Sequence, residues 1–344
     1  MPEESIAHID FEELDKKAIS QPVVSHIYTA DPSAHVFNGR IFIYPSHDIE
    51  NDTPFDDLGS HFAMEDYHVL SMTSPLDKTA TDHGQALHVK DVPWADKQMW
   101  APDAAEKDGT YYLFFPAKDH DGIFRIGVAT SSSAVGPFIP QPAPIKKSFS
   151  IDPAVFKDED GSYYMYFGGI WGGQLQRWRT GSFKAEGDGP LFHLPNDNET
   201  ALFGKVARLT NDLLEFAEDA KDVVILDENG KPLLAGDTDR RFFEASWMHK
   251  YNGKYYFSYA TGDTHYLCYA IGDGPYGPFT YGGRILNPVV GWTSHHSIVE
   301  FNGKWYLFYH DSSLSKGVTH LRSVKVTELV HDANGKIKTI DPYK

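Results

Sequence analysis

"FEASWMHKYNGKYYFSYA", residues 243–260, spells out a β-hairpin. Asn252-Gly253 supplies the positive φ angles that a two-residue hairpin loop needs, and the aromatic run after it favours a pleated strand. The same stretch holds an anomaly. Glu244 sits among Phe243, Ala245 and Trp247, where a carboxylate costs stability unless it is solvated, paired or put to chemical use.

The hairpin unit recurs along the chain. It is found as "HVFNGRIFIY" (35–44), "AAEKDGTYYLFF" (104–115), "AVFKDEDGSYYMYF" (154–167), "MHKYNGKYYFSY" (248–259) and "SIVEFNGKWYLFY" (297–309). The turn glycines are Gly39, Gly109, Gly161, Gly253 and Gly303, at spacings of 70, 52, 92 and 50 residues. Such uneven spacing does not suit a solenoid; it suits blades of about four strands with loops of variable length. Further strands are expected within 67–75, 124–138, 202–210 and 266–279. Helical periodicity is confined to residues 10–19. The sequence therefore predicts an all-β fold, a five-bladed β-propeller over residues 21–344, preceded by a tail or short helix over 1–20. A pair of β-sandwiches is the competing arrangement.

Composition agrees with many strands and tight turns: aromatics form 14% of the 344 residues, with 29 Gly and 21 Pro. With 31 basic against 48 acidic residues the formal net charge is −17, which disfavours nucleic acid or an anionic membrane as partner. The single cysteine, Cys268, excludes an intrachain disulfide framework and a cysteine-based zinc site. No apolar run reaches membrane-spanning length. The polar stretch at 1–20 lacks the regions of a secretory signal, so a cytoplasmic location is expected, or secretion if a leader has been trimmed.

In a propeller the first strand of each blade lines the central channel, so equivalent positions converge near the axis. Counting back from the turn glycines, Asp31 lies eight residues ahead, Asp152 nine, Glu244 nine and His295 eight, while Asp103 lies six ahead in the second repeat. A lone Asp-Pro can simply start a strand, its carboxylate accepting backbone N–H groups. Three carboxylates and a histidine in register point further. Acids crowded around one axis push their pKa values apart, which provides one proton acceptor and one proton donor at the same pH. Trp100, Trp171, Trp247 and Trp292 fall beside these stations or in loops leading from them. Each can either stack on the C–H face of a sugar or pack between blades.

From about residue 22 to 330 the chain resembles glycoside hydrolase family 43, five-bladed propeller enzymes that remove xylose or arabinose from plant polysaccharides. The resemblance rests on "ADPSAHVFNGRIFIY", "MWAPDAAEKDGTYYLFF", "SIDPAVFKDEDGSYYMYF", "FEASWMHKYNGKYYFSYATG", "SHHSIVEFNGKWYLFYHDSS" and "HLRSVKVTEL", met in that order. It implies Asp31 as the general base that activates a water, Asp152 as the aspartate that orients the acid and raises its pKa, and Glu244 as the general acid. It also implies inversion at the anomeric carbon, with acid and base about 6.5–9.5 Å apart. Arg322 matches an arginine that reaches the sugar in the deepest subsite, and Trp100 and Trp171 are candidate sugar-stacking residues. His295 matches a channel histidine that in many members helps to hold calcium or another cation through waters. Either His295 or His296 can be the axial one, because the residue after the first histidine is often glycine in the family. "FEASW" replaces the Glu-Gly-Pro of many relatives, so Ala245 and Ser246 are expected to reshape the loop beside the acid.

The expected partner is a pentose-containing oligosaccharide, from one end of which xylose or arabinose is released by a β-xylosidase, an α-L-arabinofuranosidase or an enzyme with both activities. No organic cofactor is expected. Endo-acting arabinanase or xylanase action, a non-catalytic sugar-binding propeller, and a retaining enzyme with a covalent intermediate are the alternatives. Loop 45–68 is placed to block one end of a groove and so to favour exo action.

Overall fold

Four of the five hairpins close as two-residue loops with both residues left-handed: Asn38-Gly39, Asp108-Gly109, Asn252-Gly253 and Asn302-Gly303. The third differs. Lys157 pairs with Tyr163 across a five-residue loop in which Gly161 alone has positive φ, with Asp158 N–H bonded to Ser162 O. A computed structural model describes residues 8–185, 187 and 192–344 of the chain. The single α-helix among the described residues spans Phe11–Lys17 and is capped by Asp10, whose carboxylate accepts the N–H groups of Glu12 and Glu13.

Each hairpin opens one antiparallel sheet, and the five sheets are the blades of a β-propeller. Blade one comprises Tyr28–Phe37, Arg40–Asp48, Asp66–Met72 and Thr81–His88. Blade two comprises Asp103–Lys107, Thr110–Asp119, Phe124–Ser131 and Ile139–Pro140, with Ala95–Lys97 also paired to its second strand. Blade three comprises Ala154–Lys157, Tyr163–Phe167, Lys205–Arg208 and Lys221–Asp222. Blade four comprises Glu244–Tyr251, Lys254–Ala260, Leu267–Gly272 and Phe279–Leu286, with Ile225–Leu226 added in parallel at its outer edge. Blade five comprises His296–Phe301, Lys304–Asp311 and Ser323–Leu329. The innermost strands touch in the cyclic order one, two, three, four, five and back to one. That closed ring excludes the sandwich pair.

The aromatic runs are apolar on both faces because every sheet is sandwiched between two others. In "TYYLFF" of blade two, Leu113 and Phe115 pack with Tyr44, Tyr67 and Val69 of blade one. The alternate residues Tyr112 and Phe114 pack with Tyr163, Met165 and Phe167 of blade three. A period-two strand thus serves two cores at once.

The chain ends close the ring. Residues 20–29 lie along the last strand of blade five, with Val23 N–H bonded to Val324 O at 2.8 Å and Thr29 N–H to Arg322 O at 2.9 Å. The other terminus runs along blade four, where Ile340 bonds Ile285 and Asn287, and then meets the start of the chain through Ile19 N–H to Pro342 O. Tyr343 anchors it: its hydroxyl donates to Asp311 Oδ2 at 2.7 Å and accepts from Val290 N–H at 3.1 Å. Tyr343→Phe is therefore expected to cost about 1–3 kcal/mol, seen as a melting temperature lowered by several degrees; an unchanged melt would remove the hydroxyl from the closure.

Candidate active site

Asp31 and Asp152 each precede a proline, which disfavours the right-handed helical region and favours extended backbone. Both are nevertheless held in left-handed backbones, with φ of 49° and 58°. In blade one this falls where strand register shifts between Ala30 and Ser33. In blade four the register shifts between Glu244 and Trp247, and Ala245 has φ 62°. Bulges of this kind re-aim side chains. Here they turn Asp31 and Glu244 into one pocket, which Asp152 enters from its own left-handed backbone just ahead of the strand Ala154–Lys157.

That pocket measures about 660 Å³ with its mouth and also receives His295 and Arg322. Blade two contributes Ala101 to it, eight residues before Gly109. Asp103 does not enter. It lies one layer down the axis, where its carboxylate accepts from the Ser33 hydroxyl and the Val155 N–H and pairs with His35 Nε2 at 2.6 Å. Ser33, Asp103 and Val155 all stand six residues before their turn glycines. The order Pro-Asp, rather than Asp-Pro, drops this acid into the lower layer.

Arg322 organises the upper layer. Its Nε and Nη2 grip Asp48 at 2.8 and 2.7 Å, its own N–H also bonds Asp48 at 2.8 Å, and Nη1 reaches Asp31 Oδ1 at 2.9 Å. The guanidinium rests over the ring of Phe62. Asp31 further accepts the Ser46 hydroxyl at 2.7 Å, and its N–H donates to His310 Nδ1 at 3.0 Å. Burial alone would raise the Asp31 pKa. Arg322 first, then His295, His310 and Ser46, outweigh burial and hold it at about 2.

Glu244 and Asp152 are driven the other way. Burial, then the negative charge of Asp31, pushes Glu244 up to about 8, against a weaker pull from Arg322. Burial, then Glu244 and Asp31, raises Asp152 as well. Asp152 Oδ2 accepts the Ala245 N–H at 2.8 Å, so it props the bulge that aims Glu244. One arginine faces three acids, and the Asp152–Glu244 pair keeps a proton at neutral pH. The site thus holds an ionised carboxylate and a protonated one together, the pairing that acid–base catalysis needs.

Of the two neighbouring histidines, His295 lines the pocket, its Nδ1 3.6 Å from Asp31 and 3.9 Å from Asp152. Burial lowers its pKa to about 4, so the ring is neutral. His296 is fully buried and bonds the Ser258 hydroxyl at 2.6 Å. Trp100, Trp171 and Trp292 line the pocket. Trp100 is mostly buried, its Nε1 donating to Phe62 O, whereas Trp171, Phe243 and Trp292 form one aromatic wall. Trp247 does not enter: its indole packs on His35 and donates to Ile298 O.

Loop 45–68 supplies Phe55, Asp56, Asp57, Gly59, His61 and Phe62 to the pocket rim. It abuts the Trp171–Gly173 turn so tightly that a Cβ on Gly172 would lie 2.5 Å from Leu58 O. The repeat pattern did not reveal Asp48, Ser46, His310 or Thr293, whose hydroxyl accepts from Arg322 Nη1 at 3.1 Å; none of them stands at a repeated axial station. A buried acid at the end of the strand "RIFIYPSHD" was the one available signal for Asp48.

Residues 72–337 match the model of glycosyl hydrolases family 43. A xylosidase/arabinosidase of Humicola insolens is 64% identical over 326 residues, 93% of this chain and 99% of that protein. A xylosidase/arabinosidase of Bacteroides ovatus is 60% identical, over 91% of this chain and 95% of its own. A solved β-xylosidase/α-arabinofuranosidase from a compost microbial metagenome, in complex with xylotriose and in calcium-free form, is 65% identical with a TM-score of 0.92, covering 94% of this chain and 98% of that one. A Xanthomonas citri enzyme complexed with xylotriose is 55% identical with a TM-score of 0.90, covering 97% of each chain.

Asp48→Ala strands a buried guanidinium with half its partners. It is expected to cost about 3–5 kcal/mol of unfolding free energy, measured by denaturant titration; a loss under about 1 kcal/mol would mean that Asp48 does not hold Arg322 in place.

Proposed function

This chain belongs to glycosyl hydrolases family 43, and on that premise we propose that it is an exo-acting, inverting β-xylosidase and α-L-arabinofuranosidase of short pentose oligosaccharides. The observation that carries the assignment of roles is the split between Asp31, ionised with a pKa near 2, and Glu244, protonated with a pKa near 8, in one pocket.

In this reading Asp31 takes a proton from a water whose oxygen attacks the anomeric carbon. The glycosidic C–O bond breaks as Glu244 gives its proton to the departing oxygen, and both carboxyls reset through solvent after product leaves. Asp152 acts through Glu244: its carboxylate fixes the Ala245 bulge that aims the acid, while burial and the charge of Asp31 keep that acid protonated. Arg322 holds Asp31 in line and, as part of the pocket lining, lies beside the innermost sugar. Trp171 and its aromatic neighbours offer a face for the sugar C–H groups. The rim built by loop 45–68 makes a pocket rather than an open groove, which supports action at a chain end.

The axial donors fit a cation only through water. Neutral His295 supplies one nitrogen, Asp31 is already engaged by Arg322 and Ser46, and calcium prefers six to eight oxygens. His295 would hold such an ion, with Asp31 and Asp152 reached through its waters; when bound it would supply positive charge beside the base.

Proton NMR of a fresh xylobiose digest tests the mechanism: α-xylose is expected first, and β-xylose first would mean retention and a different assignment of carboxyls. The pH profile tests the acid. Glu244 must carry its proton, so kcat/KM is expected to hold through the neutral range and fall as pH rises through about 8, the value to which its pKa is raised. The base stays ionised down to about pH 2 and imposes no limb near neutrality. In Glu244→Gln the alkaline limb disappears, and aryl substrates with good leaving groups survive far better than xylobiose. A limb that persists in Glu244→Gln would assign it to another group.

A further inference from the structure

Blade one carries a cluster that the pocket does not use. His47 lies at the end of the strand Arg40–Asp48, Asp66 and His68 stand two apart at the start of Asp66–Met72, and Asp82 lies at the start of Thr81–His88. Residues two apart on a strand share a face, and the pairing of Ser46 with Tyr67 sets His47 across from Asp66. Register shifts flank His68 on the side of the fourth strand. As a result His47 Nδ1 lies 2.6 Å from Asp66 Oδ1, His68 Nε2 lies 3.8 Å from Asp66 Oδ2, and the two imidazole rings are 4.5 Å apart.

Among the described residues, His47, Asp66 and His68 are the one group of His, Cys, Asp or Glu side chains in which three members each bring a ligand atom within 4.8 Å of the others. His68 Nδ1 is turned to Asp82 at 3.0 Å, and Asp82 is held in turn by His26 Nε2 at 2.8 Å. A carboxylate on one imidazole nitrogen fixes the tautomer and leaves the lone pair of the other free, the usual support behind a metal-bound histidine. The side chains are 18%, 11% and 14% exposed, enough for an ion to enter from solvent.

We propose that His47, Asp66 and His68 form a binding site for a divalent transition metal of the Zn²⁺ class, oriented by Asp82. Two imidazoles and one carboxylate suit Zn²⁺, Co²⁺ or Ni²⁺, whereas Ca²⁺ and Mg²⁺ call for more oxygens. Metal–ligand bonds of about 2.0–2.2 Å place the ion between His47 Nδ1 and Asp66 Oδ1, which are now hydrogen-bonded, and His47 then carries its proton on Nε2. A fourth position remains for water. The ion ties two neighbouring strands of blade one together, one residue from Asp48, which holds Arg322. The site shares no residue with the pocket and stands independently of the catalytic reading.

The test is calorimetric titration of the chelator-treated full chain with ZnCl₂, alongside His68→Ala, Asp82→Asn and His295→Ala. One equivalent of Zn²⁺ is expected to bind, at least 100-fold more weakly in His68→Ala. In Asp82→Asn, which keeps all three ligands, the loss is expected to be about 10–100-fold. Binding persists in His295→Ala. Absence of stoichiometric binding, binding unchanged in both blade-one variants, or binding lost only in His295→Ala overturns the site. If His68→Ala fails to fold by circular dichroism, Asp82→Asn and Co²⁺ absorption decide. An intense four- or five-coordinate Co²⁺ spectrum supports the site, and the faint bands of hydrated Co²⁺ overturn it.

Discussion

The buried guanidinium of Arg322 is the constraint on which both ring and site depend. A charge so placed is costly unless its partners are well aligned, and here one carboxylate takes it bidentately while a second takes the remaining edge. Arg322 belongs to blade five and both acids to blade one, so the ion pair lies across the seam where the propeller closes. The backbone repeats the link: Arg322 N–H bonds Asp48, and Arg322 O accepts from Thr29. The contact that completes the circle also keeps Asp31 ionised.

What Arg322 does for Asp31 it cannot do for the rest of the axis. Five innermost strands bring their side chains to a narrow centre, and the acids there outnumber the cations. The structure resolves the excess in two ways. Asp103 sinks one layer and takes donors from Ser33, His35 and Val155, away from the pocket. Asp152 and Glu244 stay in the upper layer and retain a proton between them. The acid is a consequence of crowding around a symmetric axis with one arginine set off-centre, and the left-handed backbones at Asp31, Asp152 and Ala245 are the local strain that aims these groups.

The fold was legible because its signals are local and repeated. An Asn-Gly or Asp-Gly turn with an aromatic strand can be read within a dozen residues, and five copies with acids in register point to an axis. The third copy carries the same Asp-Gly signal, but "KDEDGSYY" closes through a longer loop, a detail of backbone geometry that a Gly does not settle alone. Trp247 shows the limit of proximity in sequence. It stands three residues from Glu244 yet six before its turn glycine, in the layer of Asp103, and packs rather than faces the sugar site.

The sequence by itself determined the five-bladed all-β architecture and the three carboxylates at the axis, because periodicity, turn chemistry and repeat register are properties of short segments; the resemblance to the family came from six motifs met in order. Only the tertiary structure decided which acid is ionised and which protonated, that His295 and not His296 faces the pocket, and that Ser46, His310 and, through Arg322, Asp48 support Asp31. Those outcomes rest on burial and on partners nearly three hundred residues apart in some cases, as Arg322 is from Asp31. A pKa is set by what surrounds a group in space, and no spacing along the chain records it.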